Sequence, residues 1–335
     1  MQRFITSLSL VILFLFGFLA CKNKIQDCIL DEEILEIEID FQLERLEQLF
    51  FQAESKEEFS ELLLDYPEFG ENFLQAGLYS SEEELLEELL MINRDSAMRE
   101  LYEEVRINFA EIGDLEEELK TAFKHIKYHF PEFRVPKVYT FVTGFGSDIY
   151  LDKEILVIGL DYYLPFEHRF QPPDLPQYMT IRYQREYLVP MIVKAISTQF
   201  NRTDMSQNTL LADMIFYGKS YHFTKSILPC TPDEYIIGYS EEEVASCFAN
   251  EVMIWSHFVE NDLLYNTNPF EIRKYIGEAP FTDAISPDAP GRIGRWLGWN
   301  IVDDYRYNNK FSLQELMIES DTEKIFRQSG YKPRP

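Results

Sequence analysis

The order of apolar and polar positions divides the chain into an exported leader and a folded part. Residues 8–20 (LSLVILFLFGFLA) form an almost unbroken apolar run behind Arg3, and the run ends at Cys21. A helix needs about 20 apolar residues to span the hydrocarbon core of a bilayer. This run is shorter and is typical of a signal peptide, which we predict over residues 1–20.

The next hundred residues carry two patterns. Within 22–39 (KNKIQDCILDEEILEIEI) apolar and acidic residues alternate, which predicts a tether over 21–39 that contains an edge strand. Over 40–130 the chain is strongly acidic and its apolar positions have helical spacing. Ser-x-x-Glu capping boxes predict helix starts at three serines: Ser55, Ser81 and, farther along the chain, Ser240.

After Pro131 the pattern changes from helical to β. Val138–Thr143 and Ile155–Leu160 are rich in β-branched and aromatic residues, and Ile149–Leu151 lies where it can pair through a turn. Gly144-Phe145-Gly146 follows the first of these strands, but Ile149 stands where a dinucleotide-binding loop has its third glycine. We therefore predict a small sheet packed against helices, with a hairpin loop at the two glycines.

Helical spacing returns in the last part of the chain. Glycine inside a helix costs about 1 kcal/mol relative to alanine, so Gly291, Gly294 and Gly298 predict that another backbone packs closely there. Residues after Gly330 are expected to form a loose tail. The predicted helices are Glu186–Phe200, Thr209–Ser226, a longer one from Ser240 with a stripe of Val244, Phe248, Val252, Trp255 and Val259, one between Pro269 and Gly277, and a last one from near Pro290.

These elements predict the fold class α+β, predominantly helical with a small β-sheet. The length and the apolar content of 46% suffice for one large core. We predict a single globular domain over 40–330, with an acidic helical first part at 40–130 and the sheet plus helices at 131–310.

Charge and cysteine usage narrow the classes of function. The net charge of −27 repels the phosphates of nucleic acids, so nucleic-acid binding is excluded. It also repels an anionic lipid surface, so electrostatics cannot hold the protein on a membrane. Cys28, Cys230 and Cys247 follow Cys21, and an odd number at such spacing is no disulfide framework. A Cys230–Cys247 bridge is left open.

Familiar catalytic motifs do not occur. The chain has no G-x-S-x-G, Walker A loop, C-x-x-C or H-E-x-x-H sequence. His125 and His129 lie four residues apart, which is a spacing that can present two ligands to zinc. They have no glutamate between them, and we interpret them as residues of a helix end. His257 is interpreted as structural. We therefore predict no catalytic residue, metal ligand or cofactor.

The start of the chain resembles the bacterial lipobox. Leu19-Ala20-Cys21-Lys22 places a small residue and a cysteine directly after the signal peptide. The resemblance implies cleavage before Cys21 and attachment of lipid, including palmitate, to that cysteine. Several acyl chains on one residue anchor a protein stably without a spanning helix. The alternative is an ordinary signal peptide with a cysteine nearby.

From Pro136 to about Tyr305 the chain resembles the gliding motility lipoprotein GldB family. The segments that carry the resemblance are VYTFVTGFGSDIYLDKEILVIGLDYYL (138–164), NEVMIWSHFVENDLLYNTNPFEIRKYIGEAPFT (250–282) and PGRIGRWLGWNIVDDY (290–305). The resemblance implies a lipoprotein required for gliding over surfaces, located in the cell envelope, most simply facing the periplasm. Its implied partners are the membrane and other envelope proteins of the gliding or secretion machinery.

That family is similar in turn to predicted zinc proteases of the zincin type, which implies a zincin-like fold. Aligned on Val189-Pro190, Ala195, Ile196 and Gln199 take the places of His, Glu and His, and Tyr217 falls near the third ligand. Alanine and isoleucine supply neither a zinc ligand nor a base. The resemblance therefore implies a pseudoenzyme whose metal site has been lost.

Three hypotheses of function follow. The first is a non-catalytic scaffold or partner-binding component, and the second is a zinc-dependent hydrolase with unrecognised ligands. The third is an envelope lipoprotein that binds a small molecule. Trp296, Trp299, Arg292 and Arg295 are a candidate contact patch, since tryptophan and arginine are enriched at interface hot spots. The simpler interpretation of both tryptophans is burial in the core.

Overall fold

A four-stranded mixed sheet forms the centre of the computed structural model, which describes residues 31–333. The strand order is β1-β2-β4-β3, with β1, β2 and β4 parallel and β3 antiparallel at one edge. All five residues of β4 are buried, as expected for a parallel strand covered on both faces. The strands are β1 Leu43–Arg45, β2 Lys137–Phe141, β3 Ile149–Leu151 and β4 Ile155–Gly159.

Helices make up most of the described chain. The helices before β2 are α1 Glu32–Leu35, α2 Leu46–Gln52, α3 Lys56–Asp65, α4 Glu82–Arg94, α5 Ser96–Asn108 and α6 Gly113–His129. Those after β4 are α7 Gln177–Thr180, α8 Arg185–Ser197, α9 Leu210–Ile227, α10 Asp233–Ile237, α11 Glu241–Ala249, α12 Glu251–Glu260, α13 Pro269–Ile276, α14 Ile293–Asn309, α15 Leu313–Ile318 and α16 Thr322–Ser329. The fold class predicted from the sequence, mostly helical with a small sheet, is confirmed.

The predicted capping serines begin three of these helices. Ser55, Ser81 and Ser240 each accept a hydrogen bond from the backbone N–H three residues later. At Ser240 the carboxylate of Glu243 also accepts from the serine N–H, which completes the reciprocal box. The sequence therefore located these helix starts to the residue.

The predicted edge strand is wrong in its described part. Asp31 accepts a hydrogen bond from the Glu33 N–H and caps the short helix α1, and the edge strand β1 lies farther along. An acidic residue at the N-cap and two more in the first turn stabilise a helix start, and this outweighs the alternation. The segment 22–30 lies outside the described residues.

The loop at Gly144 connects β2 to β3 but is no hairpin, because β4 lies between these strands. Gly144 and Phe145 have φ values of 63° and 64°. The buried carboxylate of Asp161 holds the loop by accepting the backbone N–H groups of Thr143 at 2.9 Å and Phe145 at 2.7 Å. Because Asp161 is the second residue after β4, the loop is fixed to the end of the strand that lies between β2 and β3.

The long helix predicted from Ser240 is two helices. The backbone leaves the helical region at Asn250 (φ −114°, ψ 16°), between α11 and α12. The predicted stripe does not form the core: Phe248, Val252 and Val259 are between 39% and 48% exposed, whereas Ile254 and Phe258 are buried. The break rotates the second helix, so the 3.6-residue period does not run through the segment.

The end of the chain is not a loose tail as far as the described residues extend. Tyr331 is buried and donates a hydrogen bond to Glu251 at 2.7 Å. A continuous cluster of buried apolar residues runs from Leu46 to this tyrosine. The boundaries of the single domain remain a prediction.

Candidate functional site

The positions aligned with the zinc ligands of the distant relatives hold no metal-binding arrangement. Ala195 and Ile196 lie near the end of α8, Gln199 lies beyond its last residue, and Tyr217 lies on α9. The Ile196 side chain is completely buried in the apolar core. Within residues 31–333 no group of three or more His, Cys, Asp or Glu side chains is placed to hold a metal ion.

His125 and His129 lie on the last turns of α6, as the sequence indicated. Burial lowers the pKa of both, and for His129, with Arg306 and His125 adding to the effect, the pKa falls to about 4. His257 accepts or donates a hydrogen bond with the Tyr275 hydroxyl at 2.9 Å, which agrees with a structural role.

Cys230 is disulfide-bonded and Cys247 is a free, buried thiol. The Cys230–Cys247 bridge that the sequence left open is therefore wrong. Burial raises the pKa of the Cys247 thiol to about 12, so it is not poised as a nucleophile. The lipid attachment at Cys21 lies outside the described residues.

Both tryptophans of the candidate contact patch are buried, as the simpler interpretation expected. Trp296 is 2% exposed and Trp299 6%, and Arg292 and Arg295 are also buried at the start of α14. Buried arginines that line a protein interior require partners, because an unpaired charge away from water is costly. The groups that surround Arg292 and Arg295 therefore decide how far their positive charges are neutralised.

Four cationic side chains from different parts of the chain converge beside α14. We call Arg182, Lys194, Arg292 and Arg295 the basic cluster; Arg182 lies in the turn after α7 and Lys194 on α8. Interaction with Arg182, Arg292 and Arg295 lowers the pKa of Lys194 further after burial has lowered it. One carboxylate, Glu278 in the loop after α13, pairs with all three arginines.

Glu278 is the anionic centre of the basic cluster. Its oxygens lie 2.8 Å from Arg182, 3.4 Å from Arg292 and 3.1 Å from Arg295. Burial alone would raise its pKa, but the guanidinium groups lower it to about 2. Glu278 is therefore ionised at any physiological pH. Asp213 is the second acidic group near Arg295, and burial raises its pKa.

The two arginines on α14 are also held by backbone and aromatic groups. Arg292 donates to the carbonyls of Ile237 and Gly238 at 3.0 and 2.9 Å and stacks over the Tyr239 ring. Arg295 donates to the Ile276 carbonyl at 2.8 Å and lies 4.1 Å from the centroid of the Tyr217 ring. These contacts fix both guanidinium groups and neutralise neither charge.

Lys194 has no carboxylate partner. Its ammonium lies over the ring of Tyr221, 5.8 Å from the centroid, and makes no hydrogen bond to a described residue. Tyr221 is fully buried, and its hydroxyl has no hydrogen-bond partner of acceptable geometry. Burial would raise the pKa of Tyr221, but Arg295, Arg292 and Lys194 lower it below its usual value. The local potential is therefore positive.

The sequence did not predict the basic cluster. Its members lie between residues 182 and 295, with no shared spacing, and only the packing of α8, α9 and α14 brings them together. One feature of the sequence did point to part of the cluster. Arg292 and Arg295 stand next to Gly291 and Gly294, where the sequence predicted close packing of another backbone. These two arginines were compatible with a contact patch on the surface as well as with burial, and nothing in the sequence connected Lys194 with them.

A comparison with known families identifies the class of protein that carries this site. Within residues 31–333 none of the helices has both the length and the apolar character needed to cross a bilayer. The family model described as gliding motility protein GldB matches residues 27–333. The chain belongs to the GldB family. Neither a curated protein nor a solved structure matches it significantly.

Membership of the GldB family confirms the resemblance seen in the three quoted segments and extends it to most of the chain. It implies a gliding motility lipoprotein that is held in the cell envelope by a lipid anchor. The family is one of motility proteins and is not known for an enzymatic activity. The zincin-like fold expected from the more distant resemblance has no solved structure to support it.

Proposed function

We propose that this GldB-family protein is a non-catalytic scaffold of the gliding machinery, anchored through lipid on Cys21 and facing the periplasm. It binds other envelope proteins of the gliding or secretion apparatus through its folded domain. The observation that supports the proposal is the state of the expected metal site. Ile196 packs in the core at the position of the catalytic glutamate, and the neighbouring space is lined by cations, which repel a metal ion.

The zincin-type origin of the fold is part of the same proposal. The helix α8 follows the sheet in the chain and packs beside the antiparallel edge strand β3. This is the order of elements that the resemblance to zinc proteases requires. On this view the protein keeps an ancestral scaffold and uses its surface for partners.

Deletion of the gene in the parent bacterium tests the motility role. Cells without the protein should fail to spread on agar, and the wild-type gene supplied in trans should restore spreading. Normal spreading of the deleted cells would contradict the proposal.

The variant Cys21→Ala tests the anchor. Without the acylated cysteine the protein should leave the membrane fraction, because no described helix can replace the lipid. Cys247→Ala, which removes a buried thiol elsewhere, is the matched control and should stay in the membrane fraction. Retention of the Cys21→Ala protein in that fraction would rule out Cys21 as the attachment residue.

Two further measurements separate the scaffold from its alternatives. Crosslinking in intact envelopes should capture other envelope proteins, and their identities name the partners. Metal analysis of the purified full-length protein should find no stoichiometric zinc. A bound zinc ion whose removal by a chelator abolishes hydrolysis of a peptide would establish the hydrolase instead.

A further inference from the structure

The basic cluster contains more positive charge than the protein around it compensates. Arg182, Lys194, Arg292 and Arg295 contribute four cations, and Glu278 contributes one charge that is always present. Even with Asp213 fully ionised, the three arginines exceed the two carboxylates by one positive charge, and Lys194 adds a second when it is protonated. The excess lies in a chain whose net charge is −27, so it is not a consequence of general composition.

An excess of buried cations is costly unless an anion completes it. Arg292 and Arg295 are buried at 4% and 9% exposure, and each lies close enough to Lys194 to lower its pKa. Like charges at such distances repel strongly in the low dielectric of a protein interior. A structure that keeps this arrangement gains stability when an anion enters it.

Two polar groups in the cluster are unoccupied. The Lys194 ammonium lies over the Tyr221 ring and donates no hydrogen bond to a described residue, and the Tyr221 hydroxyl, which interacts with the Arg295 guanidinium, has no acceptor for its own proton. The indole N–H of Trp299, whose ring packs 5.5 Å from that of Tyr221, also lacks an acceptor. Buried donors without acceptors are rare in native proteins. Here two of them, the Tyr221 hydroxyl and the Trp299 indole N–H, lie next to the basic cluster.

The cluster is accessible from the surface. Lys194, Tyr217 and Glu278 are each partly exposed, while the arginines behind them are buried. The buried guanidinium groups are held in place by the carbonyls of Ile237, Gly238 and Ile276. The site is therefore preorganised on its inner side, where the Tyr221 hydroxyl is buried, and the side chain of Lys194 lies at its partly exposed outer side.

We propose that the basic cluster is a binding site for a compact oxyanion, a carboxylate or a phosphate group, bound by Lys194 and the Tyr221 hydroxyl in front of Arg292 and Arg295. Lysine and arginine form charge-assisted hydrogen bonds with both anions, which are stronger than bonds between neutral groups. This inference goes beyond the scaffold role and does not depend on it, because it concerns the purified protein alone.

Thermal unfolding of the full-length protein in non-ionic detergent tests the site. Inorganic phosphate in one series and succinate in another replace chloride at constant ionic strength. At least one of them should raise the unfolding temperature with saturation, because a ligand that binds only the folded state stabilises it by mass action. Phosphate alone identifies a phosphate site, and succinate alone a carboxylate site. A curve for both anions that coincides with chloride overturns the proposal.

Lys194→Met locates the binding. The apparent dissociation constant of the effective anion should rise about 10-fold or more, which is the change expected for the loss of one charge-assisted hydrogen bond. Lys153→Met removes an equal charge from an exposed turn, where Lys153 makes no ion pair with a described residue, and it should leave the constant unchanged. Equal weakening in the two variants would mean general charge screening and would refute the site.

A second variant, Tyr221→Phe, distinguishes loss of anion binding from loss of folding. Without added anion, Tyr221→Phe and Lys194→Met should unfold at the same temperature as the wild type or higher, since each removes an unsatisfied group. Tyr221→Phe should also weaken anion binding. Unchanged binding in both variants would overturn the proposal.

Discussion

Lys219 is a buried cation that the fold uses to end a helix. Its side chain is completely inaccessible, and the ammonium donates to the carbonyls of Met317 at 3.0 Å and Glu319 at 2.8 Å. These carbonyls lie at the C-terminus of α15, where a positive charge is favourable. Burial lowers the pKa of Lys219 to about 7, against a smaller opposing effect of Glu319.

The lowered pKa makes stability depend on pH in a defined direction. The unfolded chain keeps the Lys219 proton up to about pH 10.5, whereas the folded protein releases it near pH 7. Between these values the unfolded state binds more protons, so the free energy of unfolding rises with pH. From about pH 7 to about pH 9 this contribution amounts to about 2 kcal/mol.

We expect the variant Lys219→Met to lack this increase in the free energy of unfolding with pH. Urea unfolding at about pH 7 and about pH 9 measures the increase in each protein. Other titrating groups contribute equally to wild type and variant, so the difference between the two proteins isolates Lys219. Lys153→Met, which changes an exposed lysine, should keep the wild-type dependence. A variant whose stability changes with pH in parallel with the wild type would show that Lys219 stays charged in the folded protein.

At the level of elements, α9 and α14 pack with their backbones in close contact. A Cβ atom on Gly298 would lie 2.0 Å from the Met214 carbonyl oxygen, and one on Gly218 would lie 2.4 Å from the Gly298 carbonyl oxygen. Real Cβ atoms do not approach backbone so closely. The two glycines therefore let the helix backbones touch, and this contact sets the positions of Tyr221 and Arg295.

Gly298→Ala should destabilise the protein by about 2–4 kcal/mol, because the added methyl meets backbone that cannot move without separating the helices. Chemical denaturation of the wild type and the variant measures the loss. Gly113→Ala is the control, since a Cβ there meets nothing within 4 Å and alanine favours the first turn of α6. Equal stability of the two variants would contradict the close packing.

The sequence predicted elements well where local chemistry decides them. Serine caps, Pro269 and Gly277 gave helix ends, and apolar β-branched runs gave β2 and β4. It missed β1, whose three residues are too short for a pattern and pair only because β2 lies beside them. It missed the break between α11 and α12 at Asn250, where tertiary packing and not the local sequence determines the backbone conformation. The basic cluster was beyond reach for the same reason, since its members meet only through tertiary contacts.

For the molecule as a whole, the disulfide at Cys230 predicts a covalent link between the folded part and the segment before residue 31. The chain has four cysteines, and Cys247 is free. We therefore expect the partner of Cys230 to be Cys21 or Cys28. A cysteine whose sulfur carries lipid cannot form a disulfide, so the proposed acylation of Cys21 leaves Cys28. A stable disulfide agrees with an oxidising compartment outside the cytoplasm.

We predict that peptide mapping without reductant will find Cys28 joined to Cys230. Reductant should lower the unfolding temperature of the wild type, since loss of a disulfide that closes a long loop typically costs about 2–5 kcal/mol. Cys230→Ser should unfold at the lower temperature with or without reductant. A peptide that joins Cys21 to Cys230 would contradict both the pairing and the lipid attachment.

The position of the short helix α1 in the chain limits how far the described part of the protein can lie from a lipid anchor on Cys21. Ile34 is buried, and Lys124 on α6 donates to the Leu35 carbonyl, so α1 is packed against the rest of the described chain. Ten residues separate Asp31 from Cys21, and an extended chain spans at most about 3.6 Å per residue. If lipid on Cys21 is inserted in the bilayer, Asp31 lies within about 36 Å of the lipid headgroups. We therefore expect the face of the protein around α1 to meet its partners close to the membrane surface.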